Sequence, residues 1–227
     1  MKYGYYSDND LTTLDEYPFR CPSWTPMPDG KKNVVILGCS HTWGVGLEPH
    51  QTWAHKVSQH NTDKLRYWNL GQPGASAEAC VRILYSSQKV INPKIIIVCW
   101  PDISRRERLE KWAILNKTGV EPELRYENDG TDINNFLKSV FFLEKYAEVN
   151  RCTTFHCFAQ DSHHDHIKGL NVLEEYTIKN CWPHWDKFTA RDLHTKPSLA
   201  GDGLHYGEEH HERFAQLFLE QFSKKLR

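Results

Sequence analysis

Between Val34 and Gly44 the chain reads Val34-Val35-Ile36-Leu37-Gly38-Cys39-Ser40-His41-Thr42-Trp43-Gly44, an apolar run stopped by a glycine with a serine two residues beyond it. An unbroken apolar run of this length suits a parallel strand covered on both faces, and the glycine at its end suits a tight turn. More polar residues follow and lead into a helix over Gln51 to Gln59. A strand that feeds a tight turn and then a helix holds a hydroxyl clear of its own backbone, near the partly positive start of the helix. On this stretch alone Ser40 reads equally well as a helix cap and as an exposed nucleophile.

The rest of the chain repeats the same alternation. Leu65 to Leu70 reads as a second strand ending at Gly71-Gln72-Pro73-Gly74. Ser76 to Ile91 has helical spacing, with Ser76 as N-cap and Asn92-Pro93 as stop. Lys94 to Trp100 is the strongest strand signal, and Pro101 ends it. A helix over Ile133 to Val149, a strand over Cys152 to Phe158 and a last helix over Glu208 to Lys224 complete the series. Strands alternating with helices predict a three-layer α/β/α domain with a mostly parallel central sheet, flavodoxin-like in its layering. Residues 1–32 carry Pro18, Pro22, Pro26 and Pro28 and read as an extended arm; 33–227 reads as one domain. Residues 105–132, charged and without periodicity, read as an insertion near the strand ends, and Arg105-Arg106-Glu107-Arg108 as a solvated face. The stretch 170–200 reads as irregular, with Trp182-Pro183-His184-Trp185 at its centre.

Composition narrows the function classes. A length of 227 residues suits one large domain, and a net charge of −1 gives no basic face for nucleic acid. The seven cysteines include no C-x-x-C pair. Cys39, Cys80, Cys99, Cys152 and Cys157 fall in apolar segments and read as buried thiols of a reducing compartment. The first residues have no apolar signal-peptide core and no later run reaches membrane-spanning length, so the expectation is a soluble protein, cytoplasmic or otherwise, without a cleaved signal.

In an open parallel sheet, ligands gather outside the carboxyl ends of the strands. Gly38-Cys39-Ser40, Gly71-Gln72-Pro73-Gly74 and Trp100-Pro101-Asp102 all fall there, and Asp202-Gly203-Leu204-His205 precedes the last helix. An Asp-x-x-His turn lets the carboxylate hold one imidazole nitrogen while the other faces a nucleophile. The order of these motifs resembles the SGNH, or GDSL-type, serine hydrolase family. Its Gly-x-Ser block matches Gly38-Cys39-Ser40, its Asn-x-Gly-x-x-Gly block matches Asn69 to Gly74, and its final Asp-x-x-His block matches Asp202 and His205. The resemblance covers about residues 33 to 225. It implies Ser40, His205 and Asp202 as a catalytic triad, with the backbone N–H groups of Ser40 and Gly74 in the oxyanion hole. The implied function is hydrolysis of a small acyl ester, with a carbohydrate O-acetyl group as one candidate, and no cofactor or metal.

Two positions depart from the family pattern. Cys39 stands where an acidic residue precedes the serine, a position without a catalytic role. The third block, Gly-x-Asn-Asp after the third strand, reads Cys99-Trp100-Pro101-Asp102-Ile103-Ser104 and has no Asn. Losing one oxyanion donor typically costs about 10²–10³ in rate. Pro101 has no N–H and an ionised Asp102 only accepts, so the Trp100 indole and the Ser104 hydroxyl are the nearest substitute donors.

Other groups have competing readings. His156, Asp161, His163, His164, Asp165 and His166 are a dense set of borderline metal ligands without the spacing of a known motif, and a metal-dependent hydrolase is the weakest alternative. His210 and His211 read as surface residues of the last helix, and Trp182 and Trp185 as packing or a sugar platform. The principal rival to an esterase is a binding or structural module that keeps the fold without catalysis, within a larger assembly such as a virus particle. In that reading the arm would contact assembly partners or a second copy.

Overall fold

A computed structural model describes residues 19–21, 30–107, 114–115, 129–159, 181–184 and 198–227. Five strands form one sheet: β1 (Lys32–Gly38), β2 (Leu65–Asn69), β3 (Ile95–Trp100), β6 (Thr153–Phe158) and β7 (Cys181–His184). Their spatial order is β2-β1-β3-β6-β7, and every neighbouring pair is parallel. Two-residue strands β4 (Arg106–Glu107) and β5 (Ile114–Leu115) pair separately and antiparallel, inside the stretch expected to be an insertion. The helices are α1 (Ser40–Trp43), α2 (Trp53–Ser58), α3 (Ala77–Ile91), α4 (Asp129–Asn150) and α5 (Glu208–Phe222).

The sheet is buried on both sides because its central strands carry no polar face. Val34 through Leu37 are fully buried, and all six residues of β3 are buried. Residues an odd number apart on a strand point to opposite faces. Phe155 accordingly meets Phe218 and Phe222 of α5, at ring centroids 6.1 and 4.9 Å, while Phe158 meets Phe136 of α4 at 6.0 Å. Helices α2 and α5 pack together on one side and α3 and α4 on the other, which makes three layers. The expected architecture is the observed one.

Local chemistry fixes several helix ends. The Ser76 hydroxyl accepts from the Ala79 N–H at 3.2 Å, as its N-cap reading required, and Asn92 ends α3 in the left-handed conformation. Thr52 caps α2 by accepting from the His55 N–H. Ser40 is not a cap: Cys39 occupies that position and Ser40 is the first residue of α1. The four strands expected from periodicity are present within a residue or two. The fifth, β7, lies in the stretch read as irregular, with Pro183 within it at the edge of the sheet.

His210 and His211 correct a second expectation, since both are buried. The His210 Nδ1–H donates to the Ser198 carbonyl at 3.0 Å, and the His211 Nδ1 accepts from the Trp53 N–H at 3.0 Å. His211 thereby satisfies one of the first N–H groups of α2, which no residue of α2 itself could reach. Trp182 lies in β7; Trp185, Asp161, His163, His164, Asp165 and His166 lie outside the described residues. Of the expected arm, Phe19 to Cys21 is described: Phe19 and Cys21 pack against the core, and the Arg20 guanidinium lies 3.7 Å from the Trp43 ring centroid. Among the described residues, no helix is long and apolar enough to cross a membrane.

Burial holds the His211 imidazole well below its ordinary pKa, with the charges of nearby histidines and Lys56 acting in the same direction. The unfolded chain protonates the same group near pH 6.5 and so takes up the proton first as pH falls. Stability contributed by neutral His211 is therefore full above about pH 6.5 and is lost below it, by about 1.4 kcal/mol per pH unit. In chemical denaturation, His211→Leu should be less stable than the parent at about pH 8 and should lose stability less steeply between about pH 6.5 and 5. Equal slopes for the two proteins would contradict this assignment.

Candidate active site

The site is built where β1 stops. Gly38 pairs with Cys99 of β3, and a Cβ at Gly38 would lie 2.0 Å from Thr42 Oγ1 and 2.8 Å from the Cys99 carbonyl oxygen. Gly71 is as tightly placed, with a virtual Cβ 2.7 Å from Trp43 N and 2.9 Å from Thr42 Cβ. The turn carrying Ser40 is thus wedged between the ends of β2 and β3, and any side chain at either glycine would push it out. Asn69 ties the two segments: its Nδ2 donates to the Thr42 carbonyl at 3.0 Å and its Oδ1 accepts from the Gly71 N–H at 3.0 Å. The Gln72 N–H donates to the Gly38 carbonyl at 2.9 Å.

Gln72-Pro73-Gly74-Ala75 then forms a tight turn closed by the Ala75 N–H donating to the Gln72 carbonyl at 3.0 Å. Pro73 precedes Gly74, whose φ is +78°, the arrangement of a type II turn. Gly74 supplies the positive φ that this turn needs at its third position, and the Gln72–Gly38 hydrogen bond ties the turn to the end of β1.

The third contribution arrives from the far end of the chain. The loop 200–207 docks on the segment after α1, through the Gly201 N–H donating to the Gly46 carbonyl at 2.9 Å. Gly46 has φ +79°, and a Cβ there would come within 2.8 Å of Ala200 Cβ and 3.1 Å of the Asp202 carboxylate. Within the loop Asp202 Oδ1 accepts from the N–H groups of Leu204 and His205, both at 3.0 Å, and Oδ2 accepts from His205 Nδ1–H at 2.5 Å. A carboxylate can only accept, so Nδ1 carries a proton, and in the neutral ring the lone pair is then on Nε2. These donors, the His205 N–H foremost, hold the Asp202 carboxyl down to about 2, so it stays ionised throughout the neutral range.

His205 lies on the same edge of the sheet as Ser40. Its ring meets that of His41, the residue following Ser40, edge to face at 5.4 Å. His41 also stacks on Tyr206 at 5.2 Å, and Tyr206 on His210 at 5.2 Å. Burial, together with the charges of His205 and Arg105, brings His41 down to about 3, so it is neutral throughout the neutral range. Ser40 is itself buried, and burial also pushes the Cys39 thiol up, away from thiolate chemistry.

The two substitute oxyanion donors do not lie free for that role. The indole N–H of Trp100 donates to His156 Nδ1 at 2.9 Å in the core, and His156 passes the chain on to Glu144, its Nε2 2.7 Å from the carboxylate. The Ser104 hydroxyl donates to Asp102 Oδ1 at 2.7 Å, and the Ser104 N–H donates to the same oxygen at 2.8 Å. Trp100 points to the α4 side of the sheet because strand alternation sends it there, where it meets Phe136 at 5.3 Å. His156 is therefore a core residue of β6, and among the described residues no three His, Cys, Asp or Glu side chains are grouped to hold a metal.

The basic run read as a solvated face is partly internal. Arg106 pairs with the buried Asp132 of α4 and donates to the Ile103 carbonyl at 2.9 Å. Arg105 turns the other way and donates through Nη1 to the Ala75 carbonyl at 3.4 Å. Its placement directly after the third strand was the sequence signal that could have drawn attention to it.

No protein-family model and no curated protein matches the sequence. Solved structures do match in shape. The psychrotrophic esterase EstA from Pseudoalteromonas sp., in a structure inhibited by monoethylphosphonate, is similar at TM-score 0.60 and 12% identity, over 86% of this chain and 99% of that one. A lipolytic-family (G-D-S-L) protein from Desulfitobacterium hafniense DCB-2 gives TM-score 0.53 and 14% identity, over 82% of this chain and 97% of that one. A two-domain esterase, CEX, active on acetylated mannans gives TM-score 0.58 and 14% identity, over 86% of this chain and 50% of that one. The resemblance seen in the short sequence blocks extends to the whole domain: the protein has the three-layer fold of the GDSL/SGNH esterases and acylhydrolases.

Proposed function

We propose that the protein is a serine ester hydrolase acting on small acyl esters, with Ser40 as nucleophile, His205 as general base and acid, and Asp202 as the group that orients His205. The observation that carries this reading is the Asp202–His205 pair, docked through Gly46 and His41 beside the Ser40 turn. A hydroxyl on a tightly packed turn, an imidazole whose inner nitrogen is held by a carboxylate, and that carboxylate kept ionised are the parts acyl transfer requires.

In the first half-reaction the Ser40 oxygen bonds to the ester carbonyl carbon and its proton passes to His205 Nε2. The carbonyl π pair moves onto oxygen, where the N–H groups of Ser40 and Gly74 donate to it. Collapse breaks the bond to the alcohol, which takes the proton from His205. Water then repeats the sequence on the acyl-serine, releasing the acid. His41, kept neutral by burial, adds no like charge beside His205 at the moment it becomes imidazolium. A carbohydrate O-acetyl ester is the substrate class supported by the likeness to the acetylated-mannan esterase. The alternative of a non-catalytic module in a larger assembly rests on the missing third-block asparagine.

Ser40→Ala and His205→Ala should each abolish hydrolysis of a short-chain ester with the fold retained, and the double variant should be scarcely worse than either alone. Retained turnover in Ser40→Ala would exclude the assignment. Asp202→Asn should cost less than Ser40→Ala, because the carboxylate is about a quarter exposed and water can replace part of its support. With the Asp202 carboxyl held near 2, no loss of activity attributable to its protonation should appear above about pH 4 in a rate–pH profile.

A further inference from the structure

We propose that Arg105 is the third donor of the oxyanion hole, in the place where the GDSL/SGNH pattern has an asparagine side chain. The proposal rests on the reading of Ser40 as nucleophile.

Four observations converge on it. The first is position. Arg105 lies on the loop that follows β3, the same loop that carries the third block, and its backbone N–H closes a turn by donating to the Asp102 carbonyl at 3.1 Å. That turn sends the side chain toward the second block, where Nη1 reaches the Ala75 carbonyl, one residue beyond Gly74. The guanidinium charge is felt at Cys39 and at His41, the residues on either side of Ser40. Arg105 therefore touches the second of the two turns whose backbone N–H groups would bind the oxyanion and lies within electrostatic reach of the first.

The second observation is an unanswered donor. Arg105 Nε is cut off from solvent and has no hydrogen-bond partner among the described residues. Buried N–H groups are nearly always paired, and one that is not is open to an acceptor supplied by water or a ligand. The third is the contrast with the next residue. Arg106 has a carboxylate partner in Asp132, whereas Arg105 has none among the described residues. Asp102, the nearest acidic residue in the loop, directs Oδ1 at Ser104. The fourth is elimination within the loop itself, since the Trp100 and Ser104 donors are both engaged elsewhere.

The chemistry suits the role. A guanidinium keeps its charge at any working pH and offers five N–H groups in a fixed fork, so one can hold Ala75 while others stay available to a substrate oxygen. A charged donor strengthens as negative charge develops on the carbonyl oxygen, and so acts on the transition state more than on the neutral ester. The missing neutral amide would then be replaced by a stronger donor anchored to the neighbouring turn.

The test measures two quantities on the full chain: turnover of p-nitrophenyl acetate, and the rate at which an organophosphonate ester modifies Ser40. In Arg105→Ala both should fall by about 10²-fold or more, with KM within about threefold of the parent. Guanidinium chloride, added below its denaturing range, should restore part of the rate in Arg105→Ala and none in Ser40→Ala. Circular dichroism reports folding. Should Arg105→Ala not fold, Arg105→Met keeps the apolar stem, removes every donor and is read by the same criteria. Phosphonylation within about threefold of the parent, or a loss confined to KM, overturns the donor role while leaving Ser40 as nucleophile. A parent protein whose Ser40 takes no phosphonate and which turns over no ester overturns both readings together.

Discussion

The arrangement of this protein depends on how closely three backbone segments approach one another at the ends of β1, β2 and β3. Thr42 lies against Gly38 and Gly71 at distances that leave no room for a Cβ on either glycine. The Asn69 amide spans the same gap, with one end on the Thr42 carbonyl and the other on the Gly71 N–H. Each group there is buried, so each must find its partner within the protein. The result is a rigid seat for Ser40 on a helix of only four residues, too short to hold its own shape without such contacts.

Electrostatics around that seat is asymmetric. Asp202 supplies negative charge at the exposed end, held ionised by two backbone N–H groups and the His205 ring. Arg105, held at the Ala75 carbonyl, supplies positive charge that acts on Cys39 and His41. His41 is neutral because burial penalises its charged form more than Asp202 favours it, and burial likewise keeps His211 neutral where α5 packs on α2. A base placed in this setting has one carboxylate to stabilise its imidazolium and no charged histidine competing with it. The aromatic contacts from His41 through Tyr206 to His210 join the last loop and helix to the Ser40 turn.

Much of the fold was legible because its elements have strong local causes. The unbroken apolar runs at Val34 to Leu37 and Ile95 to Trp100 could only be strands buried on both faces, and Ser76 and Asn92 marked the ends of α3 by capping chemistry. Strand β7 escaped because its four residues include a proline, which weakens any strand signal away from an edge. His210 and His211 read as surface residues because polar side chains on a last helix usually are. They are buried because α5 packs on α2, where one imidazole supplies a missing acceptor to the Trp53 N–H.

The sequence by itself determined the alternation of strands and helices, and with it the sheet edge at which Ser40, Gly74 and the residues after Trp100 collect. It also determined the pairing of Asp202 with His205, since a three-residue step in a tight turn brings carboxylate and imidazole together without help from elsewhere. Only the tertiary structure decided that this pair sits beside His41, because that contact joins residues more than 160 positions apart and depends on the fit of Gly46 against Asp202. Only it decided which polar groups after β3 remain available. Strand alternation sends the Trp100 indole into the core to His156, the Asp102 carboxylate takes the Ser104 hydroxyl, and Arg105 reaches the Ala75 carbonyl beside Gly74. Which polar groups stay available follows from the direction in which each side chain leaves the backbone, and residue order does not encode that direction once the strand ends.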